Sequence, residues 1–152
     1  MLADGLKLRD VAPLEPIAAA ADPQIGVGRW GTLPQPATLD ELAGRLKTLL
    51  EIDGVQVVGD GARPISRIGA ACGSAGELLA SAARAGCECF ITGEARFHTA
   101  LEAEARGLSL ILTGHYASER FGVEALATLL TAALPNVAVR PSRCERDPLR
   151  RV

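Results

Sequence analysis

Beyond residue 38, stretches that favour β-strands alternate along this chain with stretches that favour α-helices. Hydrophobic periodicity and turn residues predict, in order, a helix over 38–51, strands over 55–58 and 65–71, a helix over 76–84, a strand over 89–92, a helix over 94–106, a strand over 108–112, a helix over 116–134 and a strand over 137–139. Gly86, Gly107 and Pro135 stand where helices should stop. The sequence therefore predicts an α/β fold with a largely parallel or mixed sheet and helices on both faces.

The first of these helices has the clearest local signal. Residues 38–41, Thr-Leu-Asp-Glu, match a capping box, in which Thr38 and Glu41 satisfy each other's backbone N–H groups. Leucines follow at helical spacing, at positions 39, 42, 46, 49 and 50. The turn-rich residues 59–64 then join two predicted strands and are compatible with a hairpin.

The first 37 residues predict a different kind of structure. They contain five prolines, at positions 13, 16, 23, 34 and 36, and closely spaced glycines at 26, 28 and 31. These residues suit a connection between structural units better than an opening strand or helix. We therefore expect a connecting segment over 1–37, an α/β lobe that carries the candidate site over 38–141, and a polar C-terminal tail over 142–152.

Composition limits the functions that this chain can have. Of its 152 residues, 48% are hydrophobic and 22% charged, which suits one domain with a substantial core. A formal net charge of −2 gives no basic field for nucleic acid. No apolar run approaches the ~20 residues that span a bilayer, and the N-terminus has no signal-like pattern. We expect a cytoplasmic protein that binds neither membranes nor nucleic acid.

Four cysteines, at positions 72, 87, 89 and 144, form no C-x-x-C pair. Cys87 and Cys89 are two residues apart on a predicted strand, so they should face the same side of the sheet. In a reducing compartment, cysteines without such a motif are typically small buried hydrophobic residues. We expect that role for these cysteines.

The residues just beyond the predicted strand 108–112 carry the strongest chemical signal. In residues 114–119, Gly-His-Tyr-Ala-Ser-Glu, His115 and Glu119 are four apart at the start of a predicted helix, so both point to one side. There an imidazole nitrogen and a carboxylate can converge on one divalent cation. The same spacing also fits an exposed ion pair, worth about 0.2–0.5 kcal/mol. Only two histidines occur, both between residues 91 and 119, which favours the metal site.

A glycine-rich turn follows the predicted strand 65–71. The backbone N–H groups of Gly73-Ser74-Ala75-Gly76 could hold an anion such as a phosphate at a helix N-terminus. The turn lacks the Lys-Ser/Thr of a P-loop, so a plain turn in which Ser74 caps the helix explains the same residues. Gly73, Ser74 and Gly76 are the candidate cofactor-binding residues.

A third junction follows the predicted strand 89–92. Glu94 and His98 are one turn apart on the predicted helix 94–106 and should share a face. They could transfer a proton or hold a metal ligand in position beside His115 and Glu119. Taken alone, they also fit a carboxylate at a helix start and a surface histidine.

Together these motifs form an ordered set. They are Cys72-Gly73-Ser74-Ala75-Gly76, Ile91-Thr92-Gly93-Glu94 with His98, and Gly114-His115-Tyr116-Ala117-Ser118-Glu119. In this order they resemble the C-terminal half of the NIF-three-like proteins (NGG-one-interacting factor three), many of which carry the name type 2 homologue of GTP cyclohydrolase I. The glycine-rich residues 25–31 and the helix over 38–50 are similar to that family as well.

The resemblance implies a two-lobed α/β fold, a ring-shaped hexamer and a two-metal site in the cleft between the lobes. The Gly-His-x-x-x-Glu pattern makes His115 and Glu119 metal ligands, with zinc, manganese or iron as the candidate ions. In that family the other ligands, a His-His pair and an Asp, come from the N-terminal half, and no position here matches them. We therefore expect half of a site, in a fragment, a short gene product or one part of a split protein.

Three functions stay open at this point. The resemblance implies a metal-dependent hydrolase, in which Glu94 or His98 moves protons. A non-catalytic interaction or scaffold module is the second, and a metal-free nucleotide-binding domain that uses the turn 73–76 is the third. Loss of a partner lobe would expose apolar surface. We therefore expect self-association into a homo-oligomer, or binding of a protein partner that supplies the missing N-terminal half.

Overall fold

The computed structural model describes residues 2–149 of the chain. Its elements, in chain order, are α1 (Leu2–Gly5), β1 (Arg9–Ala12), β2 (Glu15–Pro16), β3 (Gly26–Val27), β4 (Arg29–Thr38), α2 (Leu39–Leu50), β5 (Gln56–Val58), β6 (Pro64–Ala70), a 3₁₀ turn (Gly76–Leu78), α3 (Leu79–Arg84), β7 (Cys89–Thr92), α4 (Phe97–Ala105), β8 (Ser109–Leu112) and α5 (His115–Ala133).

Six strands form one mixed sheet in the order β1-β4-β6-β7-β8-β5, and β2 pairs with β3 in a separate two-stranded sheet. The central strands β6, β7 and β8 are parallel, with Ile68 opposite Cys89 and Cys89 opposite Ser109. The pairs β1–β4, β4–β6 and β5–β8 are antiparallel. The parallel centre brings the C-terminal ends of three strands to one edge, where α/β folds bind ligands.

Hydrophobic side chains fill both faces of this sheet, because successive residues of a strand point to opposite sides. On one face Ile91 packs in a cluster with the buried leucines of α1 and α2. On the other face Phe90 and Leu110 pack in a cluster with Leu79 of α3 and Ala103 of α4. Helices therefore cover both faces, which confirms the predicted α/β fold with a mixed sheet.

Helix α2 begins as the sequence predicts. The hydroxyl of Thr38 accepts from the N–H of Glu41 at 3.2 Å, and the Glu41 carboxylate accepts from the N–H of Thr38 at 2.9 Å. The helix ends at Leu50, and the left-handed backbone of its C-cap Glu51 (φ 54°) lets the N–H of Ile52 donate to the carbonyl of Lys47 at 3.0 Å. Both caps are local, so the pattern in the sequence is sufficient to predict this helix.

Residues 1–37 are not the connecting segment that their prolines predict. In the part that the structure describes, they include β1 and most of β4, two strands of the main sheet. β1 reaches along β4 only to Thr32, and the pairing of β4 with β6 is irregular between Thr32 and Ala37. Pro34 and Pro36 lie in that irregular part, where a missing N–H removes no hydrogen bond of the ladder.

β5 and β6 do not form the hairpin with which residues 59–64 are compatible. β6 lies between β4 and β7, whereas β5 lies at the far edge and pairs with β8, with Val57 opposite Ile111. A local turn signal predicts a change of direction, but it does not specify which strand becomes the neighbour. The strand predicted over 137–139 is not present among the described residues either.

Cys87 and Cys89 do not face the same side as predicted. Cys89 packs in the cluster that contains Ile91, whereas Cys87 packs in the cluster that contains Phe90. β7 begins at Cys89, so the alternation of strand residues does not extend back to Cys87. Burial raises the pKa of the Cys87 thiol to about 11 and also raises the pKa of Cys89. Both are buried as expected, but Cys72 and Cys144 are exposed.

The C-terminal segment, residues 142–149, is exposed as a polar tail should be, but it is not free. The guanidinium of Arg120 in α5 donates to the Glu145 carboxylate at 3.1 Å. Residues 150–152 of the predicted tail lie outside the described part of the chain. Within residues 2–149, no helix has both the length and the apolar character needed to cross a membrane.

Candidate metal site

The loops that follow β6, β7 and β8 meet at one edge of the sheet. The N–H of Glu94 donates to the carbonyl of Gly73 at 3.0 Å, and the N–H of Gly114 donates to the carbonyl of Gly93 at 2.8 Å. A bridge between Ser74 and Glu94 continues the parallel pairing past the strand ends. The three junctions that carry the sequence motifs are therefore adjacent.

His115 lies between two carboxylates at this edge. Its Nδ1 is 3.0 Å from Oε1 of Glu94, and its Nε2 is 3.3 Å from Oε2 of Glu119, one turn further along α5. All three side chains are about half exposed, between 45% and 54%. The structure thus brings together Glu94 and the two predicted metal ligands.

The two ring nitrogens of His115 have different partners. A neutral imidazole with its proton on Nδ1 donates to Glu94 and leaves the lone pair of Nε2 on the side of Glu119. Proteins commonly orient a metal-binding histidine with a carboxylate on its other nitrogen. The hydrogen bond to Glu94 raises the pKa of His115, and the negative charges of Glu119 and Glu94 raise it further.

Nε2 of His115 and Oε2 of Glu119 are placed as two ligands of one cation would be. Two ligands at about 2.0–2.1 Å from a tetrahedral zinc ion are separated by about 3.3 Å, and these two atoms are 3.3 Å apart. Gly73 keeps the adjacent space open, since a Cβ there would overlap Oε1 of Glu119 and lie 3.4 Å from Nε2 of His115. The donor atoms and the space beside them therefore fit a divalent cation.

The described residues do not form a complete metal site. Within residues 2–149, no group of three or more His, Cys, Asp and Glu side chains is arranged to hold a metal ion. Glu94 contacts Nδ1 of His115, the nitrogen that does not face Glu119, so it adds no third ligand. A catalytic zinc site usually takes three protein ligands.

Two buried hydroxyl groups fix the loop that carries Gly73. Ser118 Oγ accepts from the N–H of Gly73 at 2.8 Å and donates to the carbonyl of His115 at 2.8 Å. Thr92 Oγ1 donates to the carbonyl of Gly73 at 3.1 Å and accepts from the N–H of Ala75 at 3.3 Å. The sequence does not predict these roles of Ser118 and Thr92. The sequence shows only that each is a small polar residue, Thr92 at the end of a predicted strand and Ser118 next to the candidate ligand Glu119.

His98 lies apart from the other candidate residues. Helix α4 begins at Phe97 and not at Glu94 as predicted, so Glu94 and His98 do not share a helical face. Glu94 lies in the bridge with Ser74 instead. His98 lines a separate groove together with Ser74 and Gly76. The structure therefore does not place His98 beside His115 and Glu119.

The turn over residues 73–76 already uses two of its N–H groups within the protein. Those of Gly73 and Ala75 donate to Ser118 and Thr92. The helical element that follows is a single 3₁₀ turn with Ala75 at its cap position, and Ser74 does not cap it. The turn thus mainly connects neighbouring elements of the protein, and few of its N–H groups remain to bind an anion.

These observations define a class of protein: a mixed α/β fold whose three central parallel strands end in adjacent loops, which bring His115, Glu94 and Glu119 together. Comparison with known proteins identifies the family. The sequence model of the Duf34/NIF3 family (NGG1p interacting factor 3) matches residues 1–148. The chain therefore belongs to this family, as its motifs predict.

Individual relatives agree with this assignment. A Haemophilus influenzae protein named GTP cyclohydrolase 1 type 2 homolog is 32% identical over 124 residues, which cover 82% of this chain and 48% of the relative. A Deinococcus radiodurans protein of the same name is 38% identical over 131 residues, which cover 84% of this chain and 46% of the relative. The chain thus spans about half the length of these two relatives.

A solved structure shows the same fold. The crystal structure of Staphylococcus aureus protein SA1388 superposes with a TM-score of 0.85 at 22% identity. The superposition covers 99% of this chain and 63% of that chain. At this identity the likeness concerns the fold alone.

Proposed function

We propose that this chain carries part of the divalent-metal site of a metal-dependent hydrolase, with His115 and Glu119 as ligands. The placement of His115 is the main support, because Glu94 holds its Nδ1 while its Nε2 faces Glu119. The candidate ions are zinc, manganese and iron, which accept mixed nitrogen and oxygen ligands. The relatives' name, GTP cyclohydrolase 1 type 2 homolog, supports a nucleotide or another phosphate compound as substrate.

The residues of this chain would have distinct tasks in such a reaction. When bound, a divalent cation lowers the pKa of a coordinated water and polarises the group under attack. The Glu94 carboxylate accepts a hydrogen bond from the Nδ1–H of His115 and so keeps the imidazole oriented. Because its side chain is 52% exposed, Glu94 can also take up a proton from the reaction. We therefore favour Glu94 over His98, which lines a separate groove, as the proton shuttle.

The face of α5 that carries both ligands continues as an apolar stripe. From His115 and Glu119, steps of three or four residues lead along the helix to Val123, Leu126 and Leu130. All three hydrophobic side chains are exposed. A contiguous apolar surface of this kind typically binds another polypeptide. A polypeptide on this stripe would lie beside the partial site and could supply the missing ligands.

We infer that a second polypeptide surface completes the site. The matching N-terminal half of a longer or split protein is the first candidate, because this chain covers about half of its relatives. A second copy of the chain, in a homo-oligomer such as a ring-shaped hexamer, is the other. Both would cover the α5 stripe and place new side chains next to His115 and Glu119.

The metal site can be tested by zinc titration in a calorimeter and by metal analysis of the purified chain. We expect zinc binding, either by the oligomer that the chain forms or after addition of the matching N-terminal half, and we expect its loss in His115→Ala and in Glu119→Ala. His98→Ala is the matched control, since it removes the other histidine, and it should bind metal as the wild type does. Phosphate-ester and nucleotide hydrolysis with and without a chelator then tests activity. Equal metal content in all four proteins would leave His115 and Glu119 as a simple ion pair and refute the proposal.

A non-catalytic interaction module is the second candidate function, because the exposed stripe on α5 by itself supports binding of a partner. Metal dependence separates the two candidates. Association that is unchanged by a chelator and by His115→Ala, in a chain that takes up no metal, supports the module. A metal-free nucleotide-binding function has less support, since the turn over residues 73–76 already uses two of its N–H groups.

A further inference from the structure

The C-terminal segment 142–149 returns to α5 and is held there by one arginine. Nη1 of Arg120 donates to Oε2 of Glu145 at 3.1 Å, and Nη2 donates to the carbonyl of Ser142 at 2.6 Å. The hydroxyl of Tyr116 adds a hydrogen bond to the carbonyl of Glu145 at 3.3 Å. The Arg120 side chain is only 19% exposed, although its partners lie at the surface. The segment is thus held by Tyr116 and Arg120, each of which directly follows a proposed ligand in α5.

This attachment brings the end of the segment to the candidate site. Asp147 and Leu149 line a groove of about 740 Å³, and the other walls include Glu94 and His115. The N–H of Leu149 donates to Asp147 Oδ1 at 2.9 Å, which gives the segment a local turn where it meets the groove. The groove therefore has loops of the sheet on one side and the C-terminal segment on another.

We propose that Arg120 is a positioning residue, which holds segment 142–149 as the outer wall of the groove at His115 and so limits what reaches that imidazole. The inference extends the proposed function, because a wall at this place restricts the size of the substrate. Only the effect of the wall on catalysis rests on the proposed function. The wall itself is a property of the chain that can be measured without metal.

The chemistry of arginine explains why one side chain is sufficient. All three guanidinium nitrogens are used, because Nε donates to Glu124 within α5 at 3.1 Å while the other two donate to the segment. The contact to Glu124 fixes the plane of the guanidinium, and the planar fork then presents its remaining donors in a set direction. A lysine has a single ammonium group and cannot make these three contacts in one geometry.

The test measures how fast a small reagent reaches His115. Diethyl pyrocarbonate modifies histidines, and mass spectrometry of the metal-free, full-length chain follows His115 and His98 separately. His98 lines a different groove and serves as the internal reference. We expect Arg120→Ala and Glu145→Ala each to raise the His115 rate several-fold relative to His98. Leu149→Trp, which thickens the wall, should lower it.

Glu124→Ala removes the carboxylate that fixes the guanidinium plane but leaves both bonds to the segment, so it should raise the rate less than Arg120→Ala does. Arg120→Lys should behave like Arg120→Ala. If Arg120→Ala, Glu145→Ala and Leu149→Trp all leave the His115 rate at the wild-type value, the proposal is wrong. The two proposals can fail separately. If His115 is shielded in a chain that binds no metal, the role of Arg120 is supported and the metal site is not.

Discussion

Ser118 Oγ accepts a hydrogen bond from the backbone N–H of Gly73 at 2.8 Å. The two residues are 45 positions apart, so this bond fastens α5 to the loop after β6, directly beside His115 and Glu119. Ser118 is fully buried, so water cannot replace its hydroxyl. The position of the proposed ligands relative to Gly73 therefore depends on one buried serine.

Replacing Ser118 by Ala should lower the free energy of unfolding by about 1–3 kcal/mol, because the N–H of Gly73 would stay buried without a partner. Denaturant titration measures this change. Thr128→Ala, on an exposed part of the same helix, is the control and should stay within about 0.5 kcal/mol of the wild type. Equal stability of the two variants would mean that Gly73 finds another acceptor.

Replacing Gly73 by Ala should be more damaging than the same change at Gly107. Both glycines have left-handed backbone, with φ of 66° and 64°, and an alanine there costs about 1–2 kcal/mol. A Cβ on Gly107 meets no atom within 4 Å, whereas one on Gly73 overlaps the Glu119 carboxylate. We expect Gly73→Ala to weaken zinc binding in titration and Gly107→Ala to leave it unchanged. Equal loss of zinc affinity in both would assign the effect to backbone strain.

The pKa of His115 in the metal-free chain should lie above its ordinary value of 6.5, and Glu94→Gln should lower it more than Glu119→Gln. The reason is that the hydrogen bond to Glu94 is the largest contribution. Proton NMR of the two histidine rings, with His98→Ala for assignment, measures it. A larger effect of Glu119→Gln would contradict the assigned order.

The same shift gives the sign of two pH effects. The folded chain favours the imidazolium, so this contribution to stability is complete below pH 6.5 and is lost as the pH rises through the raised pKa of His115. Metal binding needs the neutral imidazole and should therefore weaken as the pH falls through that range. Zinc titration at several pH values checks the second effect.

Alkaline pH should destabilise the chain through its buried thiols. Burial raises the pKa of Cys87 from 9.0 to about 11, so its contribution to stability is complete below pH 9.0 and is lost as the pH rises through about 11. Denaturant titration across this range should show a smaller loss for Cys87→Ala than for the wild type. The exposed Cys144 provides the control, and Cys144→Ala should follow the wild-type pH profile.

The apolar stripe on α5 should make the isolated chain self-associate. Sedimentation at increasing protein concentration should detect oligomers, and Leu126→Gln with Leu130→Gln should reduce them. Leu101→Gln on α4 is a matched control, because Leu101 is also an exposed leucine on a helix, 49% accessible. A wild-type chain that stays monomeric at all concentrations would count against a partner-binding role for the stripe.

Local sequence patterns were sufficient to predict structure that forms within the same few residues. The capping box at Thr38 and Glu41 predicts the start of α2, and the Gly-His-x-x-x-Glu pattern predicts that His115 and Glu119 share a side of α5. Long-range pairing was not predictable in this way. The partner of β5 is β8, and no local pattern near residues 56–58 carries that information.

The candidate site was also predictable only where its contacts are local in sequence. The sequence indicates Glu94 as a candidate, but a helix predicted three residues too early pairs it with His98. The structure pairs it with His115 across two strand ends, which only the register of β7 with β8 determines. Likewise, Pro34 and Pro36 predict a connecting segment, but the structure places them in β4. β1 pairs with β4 only as far as Thr32, so these prolines lie where the strand tolerates a missing N–H.

The strand order also has a consequence for how the chain is made. β5 leaves the ribosome roughly fifty residues before β8, the strand against which it finally pairs, so it must wait unpaired while the centre of the sheet is synthesised. The loops that carry His115 and Glu94 can come together only when β8 has docked beside β7. Assembly of the candidate site must therefore follow the synthesis of β8, and nascent chains stalled before residue 112 contain neither His115 nor Glu119.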